Sequence, residues 1–330
     1  MSSATKIKTA FTLFNKVELI RGGSSYFSVL HNMIDNARKT IQLQVYIFEE
    51  DETGKEVATR LIGAAKRGIK VQVLLDGYAS KGLSNGFKNS LREMGIQLRF
   101  FEPIFKRGNY YFGRRLHHKI VVCDGIVSLV GGINISDRYN DMPGGPAWLD
   151  WAIIVEGDAS FELFKLCNQC YTKKPEDWLL LTKQDIATAL DNNLHCPVRI
   201  RRNDWVMNLN QISASYMEML KNAQQEIIIM SSYFIPSDFI RTSLIAAIKR
   251  GVSIKLILAS TSDIGIAKYA GRYLYAWALR QGIIIYEYKT NILHGKIAVC
   301  DNRIVTVGSY NINDISALAS IELNIDVEEN

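Results

Sequence analysis

Two histidine–lysine pairs recur along the chain at one spacing. His117 and Lys119 are followed by Asp124, Gly131 and Asn134; His294 and Lys296 are followed by Asp301, Gly308 and Asn311. In each copy the lysine lies two residues after the histidine, the aspartate seven, the first glycine fourteen and the asparagine seventeen. One histidine, one lysine and one amide from each copy suit a single phosphodiester. The lysines supply charge, and the asparagines neutral donors, to oxygens that become more negative in the transition state. A neutral imidazole can attack phosphorus while the other, protonated, donates to the leaving oxygen. Each copy is therefore expected to be half of one active site, and no metal or other cofactor is required.

The local pattern divides these residues by role. Residues 116–123 alternate as a strand, so His117 and Lys119 project from one face and His118 from the other. Asp124-Gly125 signals a two-residue hairpin turn. With that turn length Gly132 falls opposite His117 and Val130 opposite Lys119, and likewise Ser309 falls opposite His294 and Val307 opposite Lys296. Ser309, Asn134 and Asn311 are then expected to line the phosphate. Asp124 lies five residues beyond Lys119, roughly 16 Å at about 3.3 Å per residue, so Asp124 and Asp301 read as turn-forming groups. Asp150 and Glu322 open the next strands in the same phase, and each is expected to accept the Nδ1 proton of its histidine, holding Nε2 toward phosphorus.

The elements that must position these groups repeat as well. A period-2 strand at 41–48 matches one at 227–234, and a helix ending at Gly68 matches one ending at Gly251. Strands at 69–75 and 252–258, second helices ending near Gly95 and Gly282, and a strand leading into each histidine motif follow. This order, twice, predicts an α/β fold of two repeated halves, with mainly parallel sheets flanked by helices. The halves are placed at 1–174 and 212–330, joined by a connection at 175–211 that has some structure around 178–190 and no repeat counterpart. A helix is expected at 159–171, whereas the sequence stops where its second copy should begin, so the chain reads as part of a longer protein.

Composition sets wider bounds. The 330 residues are 48% hydrophobic and 22% charged with a net charge of +6, the profile of a globular protein mildly attracted to anionic partners. No run approaches the roughly 18 apolar residues of a spanning helix, and a cytoplasmic protein peripheral to the inner face of the cell membrane is expected. The odd number of cysteines, five, is not a disulfide framework. Cys167 and Cys170 form a lone CxxC without a second ligand pair, so no metal site is assigned. Basic and aromatic residues mix at 106–115 and again at 266–280, which suits contact with an anionic phospholipid surface; nucleic acid would suit the same mixture.

The paired motifs, His117/Lys119/Asp124 and His294/Lys296/Asp301 with the following glycines and asparagines, resemble those of the phospholipase D superfamily. The resemblance implies two α/β halves about a pseudo-twofold axis, with the site at their junction. It also implies His117 and His294 as nucleophile and acid/base pair, Lys119, Lys296, Asn134 and Asn311 as phosphate ligands, and Asp124 and Asp301 as motif members. A narrower resemblance covers about 17–324. Val45-Tyr46-Ile47-Phe48-Glu49, Leu74-Leu75-Asp76-Gly77-Tyr78 and Ser232-Tyr233-Phe234-Ile235-Pro236 look like bacterial cardiolipin synthases of the form without N-terminal membrane spans. That likeness implies transfer of a phosphatidyl group from phosphatidylglycerol to a second lipid alcohol. The alternatives are a phospholipase D-type hydrolase and a nuclease cutting DNA or RNA. The chain departs from the family at Ser320, where asparagine is usual two residues before the late glutamate.

Overall fold

The computed structural model describes residues 10–102, 105–106, 109–110, 114–172, 195–262, 265–313 and 320–329. The stretch 178–190 and, within 106–115, residues 107–108 and 111–113 lie outside the described residues. The first half contributes β1 (Asn15–Arg21), β2 (Thr40–Val45), β3 (Lys70–Asp76), β4 (Gln97–Phe101), β5 (Lys119–Cys123), β6 (Val127–Gly131) and β7 (Trp151–Gly157). These form one sheet in the order β1-β7-β6-β5-β2-β3-β4. The second half contributes β8 (Val198–Asp204), β9 (Glu226–Ser231), β10 (Ser253–Ala259), β11 (Ile284–Tyr288), β12 (Lys296–Cys300), β13 (Ile304–Gly308) and β14 (Ser320–Glu328). Its order, β8-β14-β13-β12-β9-β10-β11, is the same. The duplicated α/β architecture thus stands as the repeat predicts.

The sheets are more mixed than mainly parallel. Parallel pairing is confined to β2-β3-β4 and β9-β10-β11. Those strands are joined by crossover helices: α2 (Glu52–Lys66) and α3 (Asn85–Glu93) in the first half, α6 (Asp238–Lys249), α7 (Gly265–Tyr273) and α8 (Tyr275–Arg280) in the second. The histidine hairpins pair antiparallel, because a tight turn can join strands in no other way, and the strands flanking them, reached by longer connections, pair antiparallel as well.

A second difference lies in the connection. Residues 198–204, with Arg199, Arg201 and Arg202, do have a repeat counterpart. β8 pairs antiparallel with β14 just as β1 pairs with β7, and each leads into a helix: α1 (Ser24–Asn36) after β1, α5 (Gln211–Asn222) after β8. The basic run belongs in a sheet because Asp326, fully buried, accepts from Arg199 Nε at 3.0 Å and Ser215 Oγ at 2.6 Å, with Arg201 Nε at 3.4 Å.

Local signals explain the helices that frame the site. Asp51 caps α2 by accepting from Gly54 N at 2.9 Å, and Gly68, at φ +85°, ends it. Between them Val57, Ala58, Leu61 and Ala64 bury one face against the sheet. Each half has its own core. A third cluster is shared: Ile120, Val130, Val155 and Phe164 of the first half pack with Ile200, Ile297, Val307 and Leu323 of the second. α4 (Asp158–Tyr171) lies in this shared layer, touching β7 and β8. The two histidine hairpins therefore meet across a buried apolar seam. Among the described residues no helix is long and apolar enough to cross a membrane.

Candidate active site

Each histidine hairpin is built by a turn the sequence specifies and a bulge it does not. Asp124 and Gly125 adopt φ +56° and +65°, Asp301 and Asn302 φ +52° and +55°, the paired left-handed residues of a two-residue hairpin turn. Ile126 N bonds Cys123 O at 3.1 Å, and Arg303 N bonds Cys300 O at 2.9 Å, closing both turns. One residue then stands out of each ladder, so Cys123 pairs with Val127 and Cys300 with Ile304. The register is one residue away from the expected one: Val130 lies opposite Ile120, not Lys119, and Val307 opposite Ile297, not Lys296.

Asp124 and Asp301 are spent on these corners. Asp124 accepts from the backbone N–H groups of Arg38, Lys39 and Thr40 at 2.7–2.9 Å. Asp301 accepts from Gln224, Gln225 and Glu226 at 2.8–2.9 Å. Each tethers its hairpin to the start of the neighbouring strand, β2 or β9. Partial burial alone would raise the Asp301 carboxyl, yet these donors hold it below the usual carboxylate range.

The histidines are oriented across the seam. His117 Nδ1 lies 2.8 Å from Glu322 Oε2, and His294 Nδ1 lies 2.5 Å from Asp150 Oδ2. Both expected carboxylates are engaged, but each histidine takes the one from the other half. Backbone pairing produces the exchange. Arg115–Leu116 joins Ser320–Ile321 as a parallel strand, and His117 N donates to Ile321 O at 3.0 Å, next to Glu322. Symmetrically, Leu149 bridges Leu293, and His294 N donates to Leu149 O at 2.7 Å, next to Asp150. The backbone of Ser320, where the resemblance has asparagine, thus takes part in the seam.

Gly132 and Ser309 hold equivalent positions beside these carboxylates. A Cβ on Gly132 would stand 2.4 Å and 2.5 Å from the two Asp150 oxygens, so only glycine admits that carboxylate. Ser309 Oγ donates to Glu322 Oε2 at 2.5 Å. It therefore supports His117 through Glu322, whereas the sequence reading set it opposite His294 as a phosphate ligand. His118 faces away, as strand alternation requires, with Nδ1 3.1 Å from Gln44 Oε1.

Lys119 and Lys296 are both buried. Lys119 Nζ donates to His117 O at 3.0 Å and lies 5.1 Å from the centre of the Tyr46 ring, over its face. Lys296 Nζ donates to Ser232 Oγ at 3.2 Å and to His294 O, and lies 2.9 Å from His294 Nδ1. Tyr46 and Ser232 escaped the sequence reading. The signal was there, since both stand one residue past the strand that pairs with the lysine: Val45 opposite Lys119, Ser231 opposite Lys296.

Aromatic edges complete the walls. Tyr46 meets His117 edge-on at 4.7 Å between ring centres, and Tyr139 meets His294 edge-on at 5.2 Å. Asn134 is held within the protein, accepting from Ile47 N at 3.1 Å and donating to Tyr139 OH at 2.9 Å. Asn311 is buried, and its Oδ1 has no partner among the described residues.

Burial sets the protonation states. Desolvation lowers His294 to about 4, assisted by the Lys296 charge and opposed by Asp150. His117 is lowered by the same cause, against Glu322. Desolvation brings Lys119 down to about 7, with Glu322 opposing and Lys296 reinforcing the shift. The Lys296 charge acts on His117 and the Lys119 charge on His294, which makes the two motifs one electrostatic site. Among the described residues no group of three or more His, Cys, Asp or Glu side chains could hold a metal. Cys167 and Cys170 are free thiols on α4. In the 266–280 segment, Tyr275 and Trp277 pack on the second core while Tyr269 and Tyr273 are exposed.

Comparison with known proteins places this geometry. The family profile described as "Cardiolipin synthase, PLD-like domain" matches twice, at 30–144 and 216–330. Cardiolipin synthase B of Escherichia coli K12 and that of Shigella flexneri are each 34% identical over 331 residues, spanning 96% of this chain and 77% of theirs. Among solved structures, phosphatidylserine synthase of Haemophilus influenzae superposes with a TM-score of 0.75 over 98% of this chain and 84% of its own, at 14% identity. Polyphosphate kinase of Porphyromonas gingivalis reaches 0.60 over 95% of this chain and 45% of its own, at 15% identity. The two structural likenesses speak for the fold; the profile and the sequence relatives go further. A duplicated sheet that brings two histidine–lysine motifs into one site, on a sequence matched along nearly its whole length, is thus the build of an enzyme of the phospholipase D superfamily, and the chain belongs to its cardiolipin synthase family.

Proposed function

We propose that the protein transfers the phosphatidyl group of phosphatidylglycerol to the hydroxyl of a second lipid alcohol through a phosphohistidine. The observation that carries this reading is the pair of exchanged contacts, His117–Glu322 and His294–Asp150. With Nδ1 engaged by a carboxylate, each histidine keeps Nε2 free for phosphorus or for a proton.

Burial holds both imidazoles neutral near pH 7 in the free protein. An anionic phosphodiester favours protonation of one of them on binding. The neutral imidazole forms an N–P bond through Nε2 as the P–O bond to glycerol breaks, and the imidazolium passes its proton to that oxygen. The acceptor hydroxyl then attacks phosphorus, its proton returns to the second histidine, and the N–P bond opens. Lys119 and Lys296 stabilise the phosphoryl oxygens electrostatically. Asn311 is a further phosphate ligand in this reading, while Asn134 acts through the Tyr139 and Ile47 contacts. The likeness to cardiolipin synthase B and the net charge of +6 support work at an anionic phospholipid surface. We place the protein in the cytoplasm, peripheral to the inner face of the cell membrane.

Incubation with phosphatidylglycerol vesicles tests the reading. Cardiolipin and glycerol are the expected products, and activity is expected to persist in EDTA because the lysines provide the positive charge. Phosphatidic acid alone would reassign the protein as a hydrolase. Cleavage of single-stranded DNA without lipid turnover would make it a nuclease.

A further inference from the structure

The pseudo-symmetry of the halves breaks at one point beside the site. Arg21 and Arg202 hold equivalent register positions, opposite Trp151 and Leu323. Helix α1 begins three residues after Arg21, but α5 begins nine residues after Arg202, so the second half carries six extra residues. They form a small hairpin. Asn203 and Asp204 pair with Asn210 and Leu209, and Trp205–Met207 makes a turn that Asn208 closes at φ +54° with its N–H on Trp205 O at 3.1 Å. The first half folds without any such hairpin, so the architecture does not need it.

Its tip has the wrong chemistry for a solvent turn. Hairpin tips favour Gly, Asn, Asp and Ser. Here Trp205, Val206 and Met207 stand in sequence, 50%, 51% and 59% exposed. The base of the hairpin adjoins the reacting groups. Asn203 lies opposite Glu322, whose carboxylate orients His117. Asp204 accepts from Arg114 Nη2 at 3.1 Å, three residues before His117, and Arg202 Nη2 lies 3.7 Å from the same oxygen. Two guanidiniums around one carboxylate leave a net positive charge beneath the apolar tip. An apolar tip with a tryptophan above a cationic base is complementary to the boundary between anionic headgroups and acyl chains.

We infer that Trp205, Val206 and Met207 form a wedge that enters an anionic phospholipid surface, seating the His117 side of the site against it. The inference rests on the phospholipid reading above for its choice of partner, and adds which residues make the contact. Nothing in the reaction steps uses these three side chains.

The test compares the full chain with its Trp205→Ser/Val206→Ser/Met207→Ser variant on vesicles of phosphatidylglycerol and phosphatidylcholine. The same proteins are assayed on dihexanoyl-phosphatidylglycerol below its micelle-forming concentration. Loss of three half-exposed apolar side chains is expected to weaken vesicle partition by roughly 100-fold. Turnover of the monomeric lipid is expected to stay within about twofold, since the reacting groups are untouched. Brominated acyl chains are expected to quench wild-type fluorescence, with that component absent in Trp205→Phe. Unchanged vesicle partition in the triple variant, or quenching that survives Trp205→Phe, overturns the wedge. So does a loss of monomer turnover while partition is unchanged. Trp205-dependent quenching with no turnover of either lipid form supports the wedge and counts against the transferase reading instead.

Discussion

Replacing Asp150 with Asn tests the exchanged orientation directly. Asp150 is fully buried, with Oδ2 2.5 Å from His294 Nδ1 and Oδ1 accepting from Trp151 N at 2.7 Å. Asparagine keeps the volume and the bond to Trp151 but removes the charge. An imidazolium about 4 Å from a carboxylate at an effective dielectric near 20 gains about 4 kcal/mol. At about 1.36 kcal/mol per tenfold, losing that interaction slows turnover roughly a thousandfold. If the new amide offers an N–H to Nδ1, it favours the tautomer with the proton on Nε2, which pushes the same way. The assay is cardiolipin formed from labelled phosphatidylglycerol, with thermal unfolding as the control for structure. Histidine titration by NMR adds a readout that a merely weakened fold would not give. Because Asp150 raises His294 against desolvation, its loss should lower His294 further and leave His117 nearly unmoved. A folded Asp150→Asn protein with turnover within tenfold of wild type, or a shift at His117 in place of His294, would refute the reasoning.

The other predictions concern groups around that pair. Burial brings Lys119 to about 7, so between about pH 7 and pH 10.5 the unfolded chain holds a proton that the folded chain does not. Stability therefore rises with pH across that window, and the full penalty applies below it. Lys119→Met is accordingly expected to abolish transfer yet raise stability at pH 6 by a few kcal/mol, a gain that shrinks toward pH 10; equal melting temperatures at pH 6 would contradict this. Asp124→Ala removes the acceptor for three backbone N–H groups and should cost about 2 kcal/mol in denaturant unfolding, with turnover per folded molecule within severalfold of wild type. Asp301→Ala should behave alike, and because its carboxyl is held low, its contribution is present at neutral pH and fades as pH falls below about 4. Gly132→Ala drives a methyl into the Asp150 carboxylate, so its turnover should fall with that of Asp150→Asn, and the double variant should be little slower than either.

Much of the site could be read from spacing. A repeat that fixes five residue types at one interval shows that two half-sites exist, and strand phase picked out Asp150 and Glu322 far from the motif. What stayed hidden depends on contacts between distant segments. The carboxylate exchange follows from two short parallel pairings, Arg115–Leu116 with Ser320–Ile321 and Leu149 with Leu293, which leave no mark on local periodicity. The one-residue shift in each hairpin comes from a bulge after an otherwise ordinary turn, and that bulge moved Ser309 from the expected place opposite His294 to the Glu322 carboxylate. Arg199 and Arg201 look like linker charges until Asp326, more than 120 positions away, and Glu218 are seen to pair with both of them at the sheet.

The reciprocal seam makes the active centre a property of docking. A shear of about 1 Å between the sheets would lengthen both Nδ1–carboxylate contacts together, and hydrogen bonds weaken steeply over that distance. Among the described residues each histidine's ring bonds an acid of the other half and none of its own, so the centre should fail as a single unit. On warming or in mild denaturant, transfer should disappear while the two separate cores are still folded. Catalysis would then report how closely the halves are joined, well before spectroscopy registers the loss of either one.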